Sequence, residues 1–94
     1  MPVRELKWNW KTALFIDGNK SQLARDAASG QGETLDALAA LLKVDAADKA
    51  AFVSLAKARH AEIFASVESA DSIAARLKAA LQSDARLAKY AEAV

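Results

Sequence analysis

Beyond residue 15 every candidate run of larger apolar residues recurs at three and four positions, the period of an α-helix. Leu35, Leu38, Ala39 and Leu42 follow the i, i+3, i+4, i+7 spacing of a core-facing helical stripe, and Ile73, Leu77, Ala80 and Leu81 share a face in the same way. One stretch departs from this. In Leu6-Lys7-Trp8-Asn9-Trp10-Lys11-Thr12, apolar and polar residues alternate, the period of a half-buried β-strand. A lone strand leaves its backbone donors and acceptors unpaired, and even a single hairpin is marginal in water. The chain therefore cannot build a sheet of its own. The expectation is an all-α fold, a compact bundle of four to five short helices, with an N-terminal aromatic segment (strand or helix) packed across it.

The N-terminal segment stays open at this level. As a strand, it sets Leu6, Trp8, Trp10 and Leu14 against Glu5, Lys7, Asn9 and Lys11. As a helix, it lines up Val3, Leu6, Trp10, Ala13 and Leu14, beside a basic stripe of Arg4, Lys7 and Lys11, and leaves Trp8 and Phe15 on the basic side. Asp17-Gly18-Asn19 then reads as a turn, with Asp17, Asn19 or Ser21 able to cap a helix running to Ser29. Gly30-Gln31-Gly32 breaks that helix, Gly30 being the expected left-handed C-cap. Glu33 opens the next helix, where a carboxylate suits the positive end. Val44-Asp45 separates this from a long helix, Ala46 to Ala65, carrying Phe52, Leu55, Ala56, Ile63 and Phe64. Ser69 or Asp71 caps a fourth, and Ser83-Asp84 a short last one with Leu87, Tyr90, Ala91 and Val94.

At 94 residues the chain is one domain, 1–94, divided into an aromatic segment (1–15) and a helical bundle (19–92). Its apolar fraction of 53% is misleading, because about a quarter of the residues are alanine. The core must therefore rest on Leu35, Leu38, Leu42, Phe52, Leu55, Ile63, Phe64, Ile73, Leu77 and Leu81. A net charge of +1 with interspersed signs argues against a nucleic-acid partner. With no cysteine, disulfides and thiolate metal sites are excluded. No apolar run reaches membrane-spanning length, and Lys7, Asn9 and Lys11 interrupt any export signal near the start. The chain as it stands thus reads as cytoplasmic or as a mature form stripped of its signal.

Asn19, Leu23, Ala24 and Asp26, the run Gly30-Gln31-Gly32-Glu33-Thr34-Leu35 with Leu38-Ala39 and Leu41-Leu42, then Ala47, Phe52 and Ile63-Phe64, and the ending Ser83-Asp84-Ala85-Arg86-Leu87-Ala88-Lys89-Tyr90 form a pattern. From Asn19 to Tyr90 it resembles the C-terminal helical part of a bacterial domain-of-unknown-function family of small exported proteins. The Gly-Gln-Gly-Glu run is its distinctive element. The resemblance implies a periplasmic or envelope location. It also implies a signal peptide and a cysteine- and glycine-containing N-terminal portion, and Met1–Phe15 stands in their place. It implies no catalytic residues.

The residues themselves point away from catalysis. His60, the single histidine, lacks a carboxylate on its own helix face, Glu62 lying two positions on. Asp17, Asn19, Asp26 and Glu33 could offer oxygens to a cation, but their spacing matches no calcium loop. Asp26 is better employed on backbone amides around the glycine turn, and Glu33 on the helix dipole. Gly30-x-Gly32 lacks the strand, third glycine and Lys-Ser/Thr of a phosphate loop. No metal and no cofactor is expected. The expected function is a non-enzymatic protein–protein interaction module, with Leu6, Lys7, Trp8, Trp10 and Lys11 as the partner-binding residues and a homodimer as the expected assembly. Membrane-surface contact by the same residues is a lesser reading, and a small-ligand or lipid-binding bundle the alternative.

Overall fold

Asn9 starts the first helix. Its backbone is extended (φ −60°, ψ 124°), and its Oδ1 accepts hydrogen bonds from the amides of Lys11 and Thr12, two of the donors a helix start leaves unmet. In the computed structural model, residues 9–65 and 69–94 are described. They form α1 (Trp10–Gly18), α2 (Lys20–Ser29), α3 (Glu33–Leu41), α4 (Ala46–Ala58), α5 (His60–Ile63), α6 (Ala70–Gln82) and a 3₁₀ helix (Ala88–Ala93). The fold is all-helical, as the apolar spacing requires, but it has seven helical elements among the described residues rather than four or five.

The strand reading of the N-terminal segment is overturned where it can be followed, since Trp10, Lys11 and Thr12 are the first turn of α1. Leu6, Lys7 and Trp8 lie outside the described residues. The inward stripe also differs from the expected one. Thr12 and Ile16, four apart, are the buried residues of α1, while Trp10 and Leu14 face outward. Thr12 is buried because its hydroxyl donates to the Ala93 carbonyl at 2.8 Å, and the Asn9 amide donates to the main-chain oxygen of Val94. These two bonds dock the start of α1 on the C-terminal end of the chain.

Asp17-Gly18-Asn19 makes no open turn. Asn19 alone separates α1 from α2, and its side-chain amide donates back to the Phe15 carbonyl rather than capping α2. The glycine turn behaves as expected. Gly30 sits at φ 79° as the C-cap of α2, its amide reaching the carbonyls of Asp26 and Ala27. Gly32 is held harder still. It lies at φ 142°, and a Cβ there would overlap the Asp26 carboxyl group. That carboxylate accepts from the amides of Thr34 and Leu35, so it caps α3 from a preceding helix.

The long helix expected over Ala46 to Ala65 is broken at Arg59 (φ −115°, ψ 18°), which separates α4 from α5. The break lets Ile63 and Phe64, adjacent in sequence, both enter the core. Ser69 caps α6 by accepting from the Ser72 amide. The final element is 3₁₀ rather than α, and Asp84 serves the turn before it by accepting from the amides of Arg86 and Leu87. Ser83 caps nothing there, its hydroxyl donating to the Ala80 carbonyl. α6 packs on the 3₁₀ helix, α1 and α5, while α2 packs on α3, α4 and α5. Nine of the ten expected core residues are buried; Leu55 is only partly so. Ile16 joins them as a core residue that spacing did not single out.

Candidate functional site

Two places among the described residues stand out as candidates. The first is a polar joint. Asp48, in the first turn of α4, is one of two buried polar residues among those described. Its Oδ1 accepts from Arg86 Nε and its Oδ2 from the Tyr90 hydroxyl, each at 2.5 Å, with Lys89 Nζ at 3.4 Å. Tyr90 in turn accepts from the Asp45 amide, Arg86 also donates to the Ala47 carbonyl, and Lys89 lies over the Tyr90 ring. The Tyr90 hydrogen bond, and after it the Arg86 bond, hold the Asp48 carboxyl at about 2, below its ordinary 3.8 and against the opposing effect of burial. The same bond pushes the Tyr90 hydroxyl above its ordinary value. Every oxygen of the carboxylate is engaged, and the phenol is held neutral. The arrangement ties the start of α4 to the 3₁₀ helix and offers neither a poised base nor an open position for a ligand.

The second place is an open groove of about 420 Å³ between α1 and the start of α6, lined by Trp10, Ala13, Leu14, Asp17, Ala70 and Asp71. Trp10 and Leu14, four residues apart and so on one helix face, are the large apolar residues left exposed among those described, at 57% and 63%. Lys11 stands beside Trp10, its ammonium 5.8 Å from the ring centre. Asp17 and Asp71 give the rim two carboxylates. Asp17 pairs with Lys20 at 3.0 Å, and Asp71 has no ion-pair partner among the described residues.

Of the five residues expected to bind a partner, Trp10 and Lys11 fall at this groove or beside it, and Leu6, Lys7 and Trp8 lie outside the described residues. Leu14, Asp17, Ala70 and Asp71 were not foreseen as its walls. The i, i+4 pairing of Trp10 with Leu14 is visible in the sequence, whereas the approach of α6 depends on tertiary packing. The Asp48 joint carried no local signal, since its partners lie 38 to 42 positions away.

The remaining candidates are occupied. His60 Nδ1 lies 2.9 Å from the Lys57 carbonyl at the α4–α5 break. Asp26 is spent on α3 amides, Asp17 on Lys20 and Asn19 on Phe15. Among the described residues no group of three or more histidines and carboxylates could hold a metal ion, and no helix is long and apolar enough to cross a membrane.

A family model described as "Protein of unknown function (DUF3015)" matches residues 4–91. The match begins well before Asn19, so it takes in α1 and most of the aromatic segment as well as the helical part. No curated protein and no solved structure matches the chain.

Proposed function

The chain belongs to this family of proteins of unknown function, and from that premise we propose that it is a non-enzymatic helical module that docks a protein through the groove between α1 and α6. The observation that carries the reading is the exposure of Trp10 and Leu14 side by side, when nearly every other large apolar residue described is at least partly buried. Covering both would remove on the order of 200 Å² of apolar surface from water, about 5 kcal/mol of gross driving force. Tryptophan is also the residue most enriched at the energetic centres of protein interfaces. Lys11 and the rim carboxylates Asp17 and Asp71 supply the polar surround that such a patch has at a protein interface. The resemblance to small exported bacterial proteins extends the proposal to an envelope location.

A photo-crosslinking residue placed at Leu14 tests the reading, with the same residue at exposed Ala50 of α4 as control. The expected outcome is a protein adduct, identified by mass spectrometry, at position 14 and not at position 50. It should be lost when Trp10→Ala is added. A folded chain that gives no protein adduct at position 14 removes the docking proposal.

A further inference from the structure

We propose that the occupant of the α1–α6 groove is the basic aromatic segment Arg4–Trp8 of a second copy, exchanged reciprocally across a two-fold axis. This rests on the docking reading above and names its partner. Three observations support it. The groove is apolar along Trp10, Ala13, Leu14 and Ala70 and carries two rim carboxylates, Asp71 and Asp17, the latter already paired with Lys20. Arg4-Glu5-Leu6-Lys7-Trp8 is complementary in both respects, with two large apolar residues accompanied by two cations and one acid. The segment is long enough, because Trp10 to Asp17 spans about 10 Å of helix, and five extended residues reach about 15 Å.

Competing occupants fit less well. Setting two grooves face to face would bring Asp17 and Asp71 of one copy toward those of the other, a like-charge contact that lowers affinity. Docking the segment on its own groove is opposed by Asn9. That residue is pinned by its amide bond to Val94 and by its side-chain bonds to Lys11 and Thr12. A chain that leaves pinned Asn9 at the start of α1 must reverse to lie along that same helix, and even the tightest hairpin loop takes two residues out of a five-residue segment. A second copy meets no such constraint. Its segment enters from outside, and the two-fold repeats the contact, so each copy both gives and receives.

The test is light scattering on the purified chain over a wide range of concentration, with charge reversal on each side of the contact. The intact chain should reach twice the monomer mass. Arg4→Glu with Lys7→Glu, and separately Asp17→Lys with Asp71→Lys, should each give monomers. Mixing the two variants should restore the dimer, because each segment then meets a groove of opposite charge. A chain carrying all four substitutions should dimerise by itself, an outcome that a misfolded protein would not produce. Far-UV circular dichroism confirms helicity throughout. A dimer indifferent to both reversals overturns the proposal. So does an intact chain that stays monomeric; if position 14 then crosslinks to a different protein, the docking reading stands and only this occupant is lost.

Discussion

The joint at Asp48 and the groove at Leu14 each bring together segments far apart in the chain, but only the joint is complete within it. At the joint, a buried carboxylate has its oxygens engaged by Arg86, Tyr90 and Lys89. At the groove, a tryptophan and a leucine stand in water beside two carboxylates. A buried charge is tolerated only when it is fully partnered, so the joint must be closed inside the folded chain. Exposed apolar surface costs less per residue and can wait for a partner. The Asp26–Gly32 corner belongs with the joint, since its carboxylate likewise serves donors from a neighbouring helix. The contrast separates residues that hold the fold from residues free to do something else.

The most severe way to break the closed side is to empty the core position on the helix that carries Asp48. Phe52, on the same helix as Asp48, is 1% exposed. Phe52→Ala should cost about 3–5 kcal/mol, enough to unfold a domain of this size. A chemical denaturation curve unchanged from the parent would take α4 out of the core. Next comes the corner at Gly32, where φ is 142° and a Cβ would overlap Asp26. Gly32→Ala should cost about 2 kcal/mol or more, against about 1 kcal/mol for Gly30→Ala, which meets mainly the flexible Lys57 side chain. Equal midpoints for the two variants would show that Asp26 does not depend on the bare Cα.

The joint itself is sharpened by pH. The Asp48 carboxyl titrates at about 2 in the folded chain against an ordinary 3.8, so the unfolded chain binds its proton more tightly. Its contribution is therefore complete above about pH 4 and is lost as pH falls through about 2. Tyr90 is the mirror case. Its raised value favours the folded state at neutral pH, a contribution lost as pH rises past 10 and through the higher folded value. Asp48→Asn should lower Tm by several degrees at neutral pH and flatten the acid limb of a Tm-versus-pH series. An acid limb identical to the parent's would assign that sensitivity to other carboxylates.

The smallest effect on stability belongs to the groove. Leu14→Ser removes an outward side chain that is 63% exposed and should shift the stability of the dilute monomer by no more than about 0.5 kcal/mol. It should still abolish association at the groove. A large loss of monomer stability would mean that Leu14 belongs to the core and that the contrast with Asp48 is false.

Much of the closed architecture was legible. Gly30 announces the end of α2 and Glu33 the start of α3, and the cap of α6 is narrowed to Ser69 or Asp71, of which Ser69 serves, because caps and left-handed turns are local requirements of the backbone. The stripes of α3 and α6 announce Leu35, Leu38, Leu42, Ile73, Leu77 and Leu81 as core, because helical period turns spacing into a face. The period also excluded a sheet. Other features depended on contacts that no local window contains. Trp10 and Leu14 form a stripe as regular as any in α3, yet α1 turns it outward, because Thr12 and Asn9 anchor the other face to Ala93 and Val94. The break at Arg59 follows no proline or glycine; it brings Ile63 and Phe64 together into the core. Asp48 reads locally as one more acid in a first helical turn, and only the return of Arg86 and Tyr90 from the chain's end makes it a buried anchor. Helical period tells which residues share a face. Which face is covered depends on which remote groups reach it, and hydrogen bonds and burial between segments tens of residues apart are settled only when the chain has packed.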